Sequence, residues 1–572
     1  MNASTRFDTQ GVGALPVVIE FLQRLKLADI VNKAVPWEGN VPLGTVVEIL
    51  VLNRLLDPTA LFRIDVWAQT SGVADYYGLA PGQLNDDLLG RALERLTAYR
   101  DAIQAALVLR AISGFDLQVA QIHYDLTSVE FFGAYQQAEQ SPEQVSEQSP
   151  KQAAEQTAEQ AAKQAAEKEN PPPLPTYGRS KSGRKHVKQI QAGINVTGDG
   201  AVPVAFAAHD GNTAESTTHP ENLRRLKEIL PKSELLYIAD TKLDTEENLW
   251  EVVDAKGKFL CGGAFHASLQ QRFLKNRKNL KPVKYWPKSQ EKRPPEERDR
   301  YQAFELPDRL ERTEEGKKQK HEYRTIFVWS ESKERQEVQT RERHVAKIRV
   351  EFEAIARNLN RYTLKDEETI VRRLEKAKGM YGEGSLFEYT LTGRQGHYKL
   401  EWGKKAKALA DWKKLDGVFV LKTNTSTRKL PLGDALAKYR EQINVEKRIG
   451  NLKGPLAVTP MFLKNPERIA GLLNVLVWAL MVMSLMEREV RRKLKGKPLY
   501  GLYPENRPSP APTGPAILNA FRTLSIVIVQ HKQTQSRHLT DLTAIQSKLL
   551  QLLGIPPSAL KAFKRSSGIS VA

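Results

Sequence analysis

Cysteine is all but missing from this chain. Cys261 is the only one in 572 residues, which excludes an intramolecular disulfide and any zinc site built on a cysteine cluster. Acidic residues are in deficit: 67 Asp and Glu stand against 86 Lys and Arg, for a formal net charge of +19 and a pI near 9.6. That excess makes a polyanion the first partner to expect, nucleic acid ahead of a membrane surface. The opening MNASTRFDTQ lacks a basic segment followed by an apolar one, so no secretory signal is expected and a reducing cytoplasm is the default address. Long apolar runs are also scarce. Residues 469–486 form the one uncharged stretch of spanning length, but Gly471, Asn474 and Ser484 interrupt it. A helix buried in a protein core is the preferred reading there, and a membrane span the lesser one. With 41% hydrophobic and 27% charged residues, the rest has a globular balance.

Residues 1–115 read as an all-α region, with apolar positions at helical spacing and an Asx-type start at Asn85 before a long amphipathic run. At 117–132 the period changes to that of a strand. Residues 136–175 are a Glu-Gln-Ala-Ala low-complexity linker ending in prolines. A β-hairpin is expected across 189–208, then a helix at 214–229, a short strand at 234–239, a helix opened by a capping box at Asp244 to Glu247, and a strand at 258–264. Residues 266–414 read as a charged insertion with its own small sheet. A strand follows at 417–423, then a helix at about 433–453 and the apolar helix. Residues 496–572 read as a Pro-rich connector and two or three short tail helices. The catalytic part is thus expected in two pieces, 116–265 and 415–495.

Three meandering strands followed by α-β-α-β is the order of an α/β ribonuclease-H-like fold with a mixed sheet, in which the first and fourth strands lie side by side. Asp125 falls within the first and Asp240 just past the fourth. Two adjacent carboxylates repel one another, and a hard divalent cation relieves this; oxygen donors suit Mg²⁺ or Mn²⁺. On the helix at 433–453, Tyr439, Glu446 and Lys453 recur every seven residues and are expected on one face, with Gln442 near that stripe. Glu446 is the candidate third ligand. His123 is expected as a packed residue, Asp210 and Glu215 as turn and helix-start residues, and Cys261 as a small core residue. The Gly178–Gly183 loop is followed by Arg184 and Lys185 instead of Lys-Ser/Thr, and it precedes a strand, so ATP use is not expected. Residues 272–293 mix cations with Tyr285 and Trp286, a make-up that suits DNA as well as it suits a solvated surface.

The segments HYDLTSVEF, KQIQAGINVTGDGAVPVAFAAHDGNTAE, YIADTKLDTEENL, DGVFVLKTN and YREQINVEKRIGNLK, in that order, resemble a bacterial insertion-sequence transposase. The likeness is to the DDE group whose last acidic residue lies in a Y-x2-R-x3-E-x6-K pattern and whose catalytic domain carries a β-rich insertion. It implies Asp125, Asp240 and Glu446 as the catalytic and metal-binding triad. It also implies DNA-contacting positions at Tyr439, Gln442 and Lys453, and DNA-end binding by the N-terminal helices. Gln442 departs from the pattern, which has arginine there. The implied activity is strand cleavage and transfer at the ends of a mobile element. Two Mg²⁺ ions, a homodimer pairing two terminal inverted repeats, target DNA as partner and a nucleoid-associated cytoplasmic location go with it. The alternative is an inactive DNA-binding relic of such an enzyme.

Overall fold

The computed structural model describes residues 5–131, 171–178, 187–231, 234–291, 293–314, 316–458, 461, 463–531 and 534–563. Most of the low-complexity linker and of the basic 178–185 loop lies outside the described residues. The chain divides into two compact units. One comprises Met1–Asp240, Trp250–Gly257 and Glu441–Ala572; the other comprises Thr241–Leu249 and Lys258–Arg440.

In chain order the strands are β1 (Arg6–Gly11), β2 (Gln121–Phe131), β3 (Thr176–Tyr177), β4 (Lys188–Thr197), β5 (Pro203–Asp210), β6 (Leu236–Ala239), β7 (Lys258–Gly263), β8 (Lys281–Val283), β9 (Tyr301–Glu314), β10 (Lys317–Ser330), β11 (Phe387–Thr392), β12 (Lys399–Lys404), β13 (Val418–Thr423), β14 (Ser525–His531) and β15 (Thr534–Leu539). In the first unit, β4 pairs antiparallel with both β2 and β5, and β2 pairs parallel with β6. The sheet order there is β5-β4-β2-β6.

The organiser of this unit is the helix Pro466–Leu494, whose apolar stretch is wholly buried in protein. Its polar residues are satisfied within the helix: Asn474 donates to the Ala470 carbonyl at 2.9 Å and Ser484 to the Leu480 carbonyl at 2.7 Å. At Gly471 a β-carbon would collide with the Leu93 backbone, so glycine permits the close approach of helix Asp86–Phe115. Asn85 caps that second helix by accepting from the Leu88 N–H at 2.9 Å.

The N-terminal helices join the first unit's core: Leu43–Leu56 and Asp86–Phe115 bury their apolar sides against Pro466–Leu494. One sequence expectation changes here. The tail is not purely helical: β14 and β15 form an antiparallel sheet with β1, their partner from the far end of the chain. The β-branched run at 526–529 (IVIV) carried that signal.

In the second unit the antiparallel order is β7-β13-β10-β9-β8. This sheet closes over Phe273, Phe304 and Phe327, and Cys261 is buried on β7. The strand Val418–Thr423, expected to return to the catalytic part, pairs on one side with β7, itself expected in that part, and on the other with β10. A helical subdomain at 331–415 has its own core around Phe352, Leu374 and Phe387. The expected capping box is also revised. Thr245 supplies the cap, accepting from Asn248 N–H at 3.2 Å. Asp244 instead pairs with Lys422 at 2.6 Å and accepts from Ala264 N–H at 3.0 Å.

Candidate active site

Side chains alternate across a strand, so β2 presents Gln121, His123 and Asp125 on one face and Ile122 and Tyr124 on the other. The second face is covered by helix Thr218–Ile229. Tyr124 hydroxyl lies 2.9 Å from Thr218 Oγ1, and Tyr237 of β6 accepts from Asn222 at 2.8 Å. Burial pushes both phenols well up from their usual range. His219 is enclosed with them, and burial holds its imidazole down to about 4.

The first face carries the carboxylates. The β2–β6 register pairs Ile122 with Tyr237 and His123 with Ile238. Continued by two residues, it sets Asp125 across from Asp240, on strands about 4.8 Å apart. Asp240 has the same parity as Ile238 and Asp125 the same as His123, so both belong to this face. Each is half-buried, and Asp125 accepts from the Leu126 N–H at 2.9 Å.

The helix Ile443–Lys453 is attached to the same face by a chain of side-chain bonds. Gln442 donates from Nε2 to the Tyr124 carbonyl at 2.6 Å, and its Oε1 lies 3.1 Å from His123 Nδ1. Gln121 Nε2 lies 2.8 Å from His123 Nε2 and 2.7 Å from Glu441 Oε2. The Gln121 amide donates to Nε2, so the His123 proton belongs on Nδ1, where it donates to Gln442. The second anchor is Arg448, which is buried. It donates to the carbonyls of Ala201 (2.9 Å) and Gly200 (2.8 Å) and forms a two-pronged pair with Glu487 at 3.0 and 3.1 Å.

The sequence-derived residues are therefore distributed as follows. Asp125 lies on β2 two residues past the last position paired with β6, and Asp240 directly follows the end of β6, so the register carried forward aligns the two. Glu446 is exposed on the helix between the two anchors. Among the described residues no group of three or more His, Cys, Asp or Glu side chains is arranged to hold a metal ion, so Glu446 is not gathered with the two aspartates. The single helix expected at 433–453 is two helices, Leu432–Arg440 and Ile443–Lys453. They are joined by tight i→i+3 turns, from Asn444 N–H to Glu441 and from Val445 N–H to Gln442. Tyr439 lies on the first of these helices and belongs to the second unit, where its hydroxyl lies against Gly262. Lys453, exposed at the helix C-terminus, shares the Glu446 stripe. Gln442 faces inward and holds the helix, where a DNA contact was expected. Asp210 accepts from the Leu174 N–H at 2.8 Å at the end of β5, and Glu215 opens a short 3-10 turn.

The Gln121–His123–Gln442–Glu441 network was not anticipated. Its signal was the alternation of polar residues along an otherwise apolar strand. An arginine at 442 could not take the glutamine's place, because a guanidinium has no acceptor for the His123 proton.

The buried histidine has a measurable consequence. His219 takes up its proton at about pH 4 when folded and near 6.5 when unfolded. Between those values the unfolded state holds more protons, so stability falls as pH drops through that window and is fully present above it. The expected loss from this residue is roughly 2–3 kcal/mol. Urea midpoints at pH 7 and pH 4.5 measure it. His219→Gln should show a smaller drop than the parent, and an equal drop would remove His219 from the account.

As a donor set, Asp125 and Asp240 offer paired hard oxygens, which suit Mg²⁺ or Mn²⁺ and do not suit soft metals. No curated protein matches the chain. Residues 7–106 match DUF4277, described as a domain of unknown function.

Proposed function

We propose that this chain is a DDE-type DNA transposase, with the first unit's sheet acting as a ribonuclease-H-like catalytic core. The observation that supports the reading is the parallel β2–β6 register, which, carried two residues beyond its last pair, aligns Asp125 with Asp240 on the face where the Glu446-bearing helix is anchored. The DUF4277 match supports it, since that family is commonly found in transposase-like proteins. The net charge of +19 suits a DNA partner.

In this reading Asp125 and Asp240 would hold divalent cations, with Glu446 as the remaining carboxylate of the set. Two ions bound there would activate the attacking oxygen and neutralise charge on the leaving one of an in-line displacement. Asp125 and Asp240 supply fixed negative charge on a rigid strand pair. Gln442, His123 and Arg448 set the depth and rotation of the helix. Lys453, exposed on the Glu446 stripe, holds backbone phosphate. The N-terminal helices bind the element's ends, and two copies pair them in the nucleoid.

The test is a supercoiled plasmid carrying the element's inverted terminal repeats, incubated with the full chain with Mg²⁺ and with EDTA. Nicks at the repeat boundaries with Mg²⁺ and none with EDTA are expected. A second reading, a DNA-binding relic, is favoured by the ungathered Glu446 and by glutamine at 442. It predicts retention of the plasmid without nicking under either condition.

A further inference from the structure

The helical subdomain of the second unit carries a surface that the proposed chemistry does not use. The turn at 358–366 follows helix Glu331–Arg357, and the turn at 393–398 joins β11 to β12. The two turns are pinned together. The Asn360 side chain donates to the Tyr398 carbonyl at 2.9 Å and accepts from its N–H at 2.7 Å, and Gly396 N–H donates to the Lys365 carbonyl at 3.1 Å. Within the first turn, Asn360 N–H closes onto the Leu364 carbonyl at 2.8 Å. This holds two non-glycine residues in the left-handed region, Asn360 at φ 63° and Tyr362 at φ 48°. Asparagine tolerates that conformation; at tyrosine it costs about 1–2 kcal/mol. What that conformation yields is a tyrosine side chain 81% exposed to solvent.

Around it stand Arg361, Lys365, Arg394 and Lys399, all exposed. Several arginines elsewhere in this unit are paired with carboxylates, among them Arg272 with Asp308, Arg300 with Glu331 and Arg341 with Asp416. Among the described residues no ion pair reaches any of these four cations. The two turns contain one acidic residue, Asp366, and its carboxylate caps the next helix by accepting from the Thr369 N–H at 2.8 Å. Arg361, Lys365 and Arg394 on the two locked turns, Lys399 at the start of β12 and the outward phenol form a projection of four cations without an ion pair among the described residues, bordered by Asp366, Glu367 and Glu368 at the start of the next helix.

We infer that this paired-turn tip is a docking surface for the sugar-phosphate backbone of duplex DNA, with Arg361, Lys365, Arg394 and Lys399 on phosphates and the Tyr362 hydroxyl donating to a phosphate oxygen. Arginine, lysine and tyrosine are standard backbone-contacting groups, and such contacts position a duplex without reading its sequence. Because the turns are already locked, little ordering is needed on binding. The inference rests on the reading of the chain as a DNA-acting protein, but it concerns binding and not cleavage.

The experiment is fluorescence anisotropy of the full chain with a labelled duplex of arbitrary sequence over a range of salt concentrations. With Arg361, Lys365, Arg394 and Lys399 all changed to Gln, the slope of log affinity against log salt should shrink by about 3.6, near 0.9 for each lost phosphate contact. Tyr362→Ala should weaken binding about tenfold at fixed salt. Both variants alter exposed side chains, and an unchanged unfolding midpoint will establish that they fold. An unaltered slope and affinity would overturn the assignment. So would an unaltered slope with lost self-association, which would make the tip a contact for a second copy. A parent protein that binds duplex through this tip but never nicks it would sink the transposase reading and leave this one standing.

Discussion

Asp125→Asn and Asp240→Asn should each lower Mg²⁺-dependent cleavage at the element ends on the order of a thousandfold or more, since on the proposed reading each would remove a direct ligand of a phosphoryl-transfer metal. Asparagine keeps the size of the side chain and deletes its charge. The β2–β6 register carried two residues forward aligns the two carboxylates on one face, so on the proposed reading each substitution also relieves repulsion in the metal-free protein. A distinctive pattern follows: the metal-free unfolding midpoint should hold or rise while cleavage disappears and the stabilisation given by added Mg²⁺ shrinks. Thermal unfolding with and without Mg²⁺, alongside the plasmid assay, reads all three. Parental cleavage by either variant would remove that aspartate from the chemistry. Loss of cleavage together with a collapsed midpoint would mean that the residue serves the fold instead.

The second large effect belongs to a residue that touches no substrate in this scheme. Arg448→Ala strips two hydrogen bonds from the Gly200–Ala201 turn and leaves the buried carboxylate of Glu487 facing Arg491 alone among cations within ion-pairing distance. Breaking a buried pair by deleting one partner costs about 3–5 kcal/mol. Urea unfolding followed by tryptophan fluorescence suits the measurement, because Trp478 is buried in the same core helix. The double variant Arg448→Met with Glu487→Gln should recover part of the loss, since it no longer strands a charge. A change below about 1 kcal/mol in the single variant would show that this anchor is dispensable. Arg448 lies two positions from Glu446, so any surviving protein should also lose precision in placing that carboxylate.

Much of the first unit's sheet could be read from the chain because its signals are local. Asp125 interrupts an apolar β run, and Asp240 ends another. The apolar stretch at 469–486 was recognisable as a core helix because its flanking charges and its Gly, Asn and Ser positions fit burial in protein. Other features were hidden because they depend on distant partners. The helix break at 441–442 has no proline or glycine to announce it; it arises where Glu441 and Gln442 turn toward Gln121, His123 and the Tyr124 carbonyl. Asp244 looked like a helix cap until Lys422, far along the sequence, claimed it. The edge strand Arg6–Gly11 has its partner at the opposite end of the chain.

That long-range closure bears on how the polypeptide matures on the ribosome. Helix Asp86–Phe115 emerges roughly 350 residues before Pro466–Leu494, the helix that covers it. At elongation speeds of about 5–20 residues per second, the wait lasts tens of seconds. Through that interval the early helices present uncovered aliphatic surface while the charged insertion is still being synthesised. Chaperone occupancy on nascent chains should therefore rise once residue 115 clears the exit tunnel and fall only after residue 494 does.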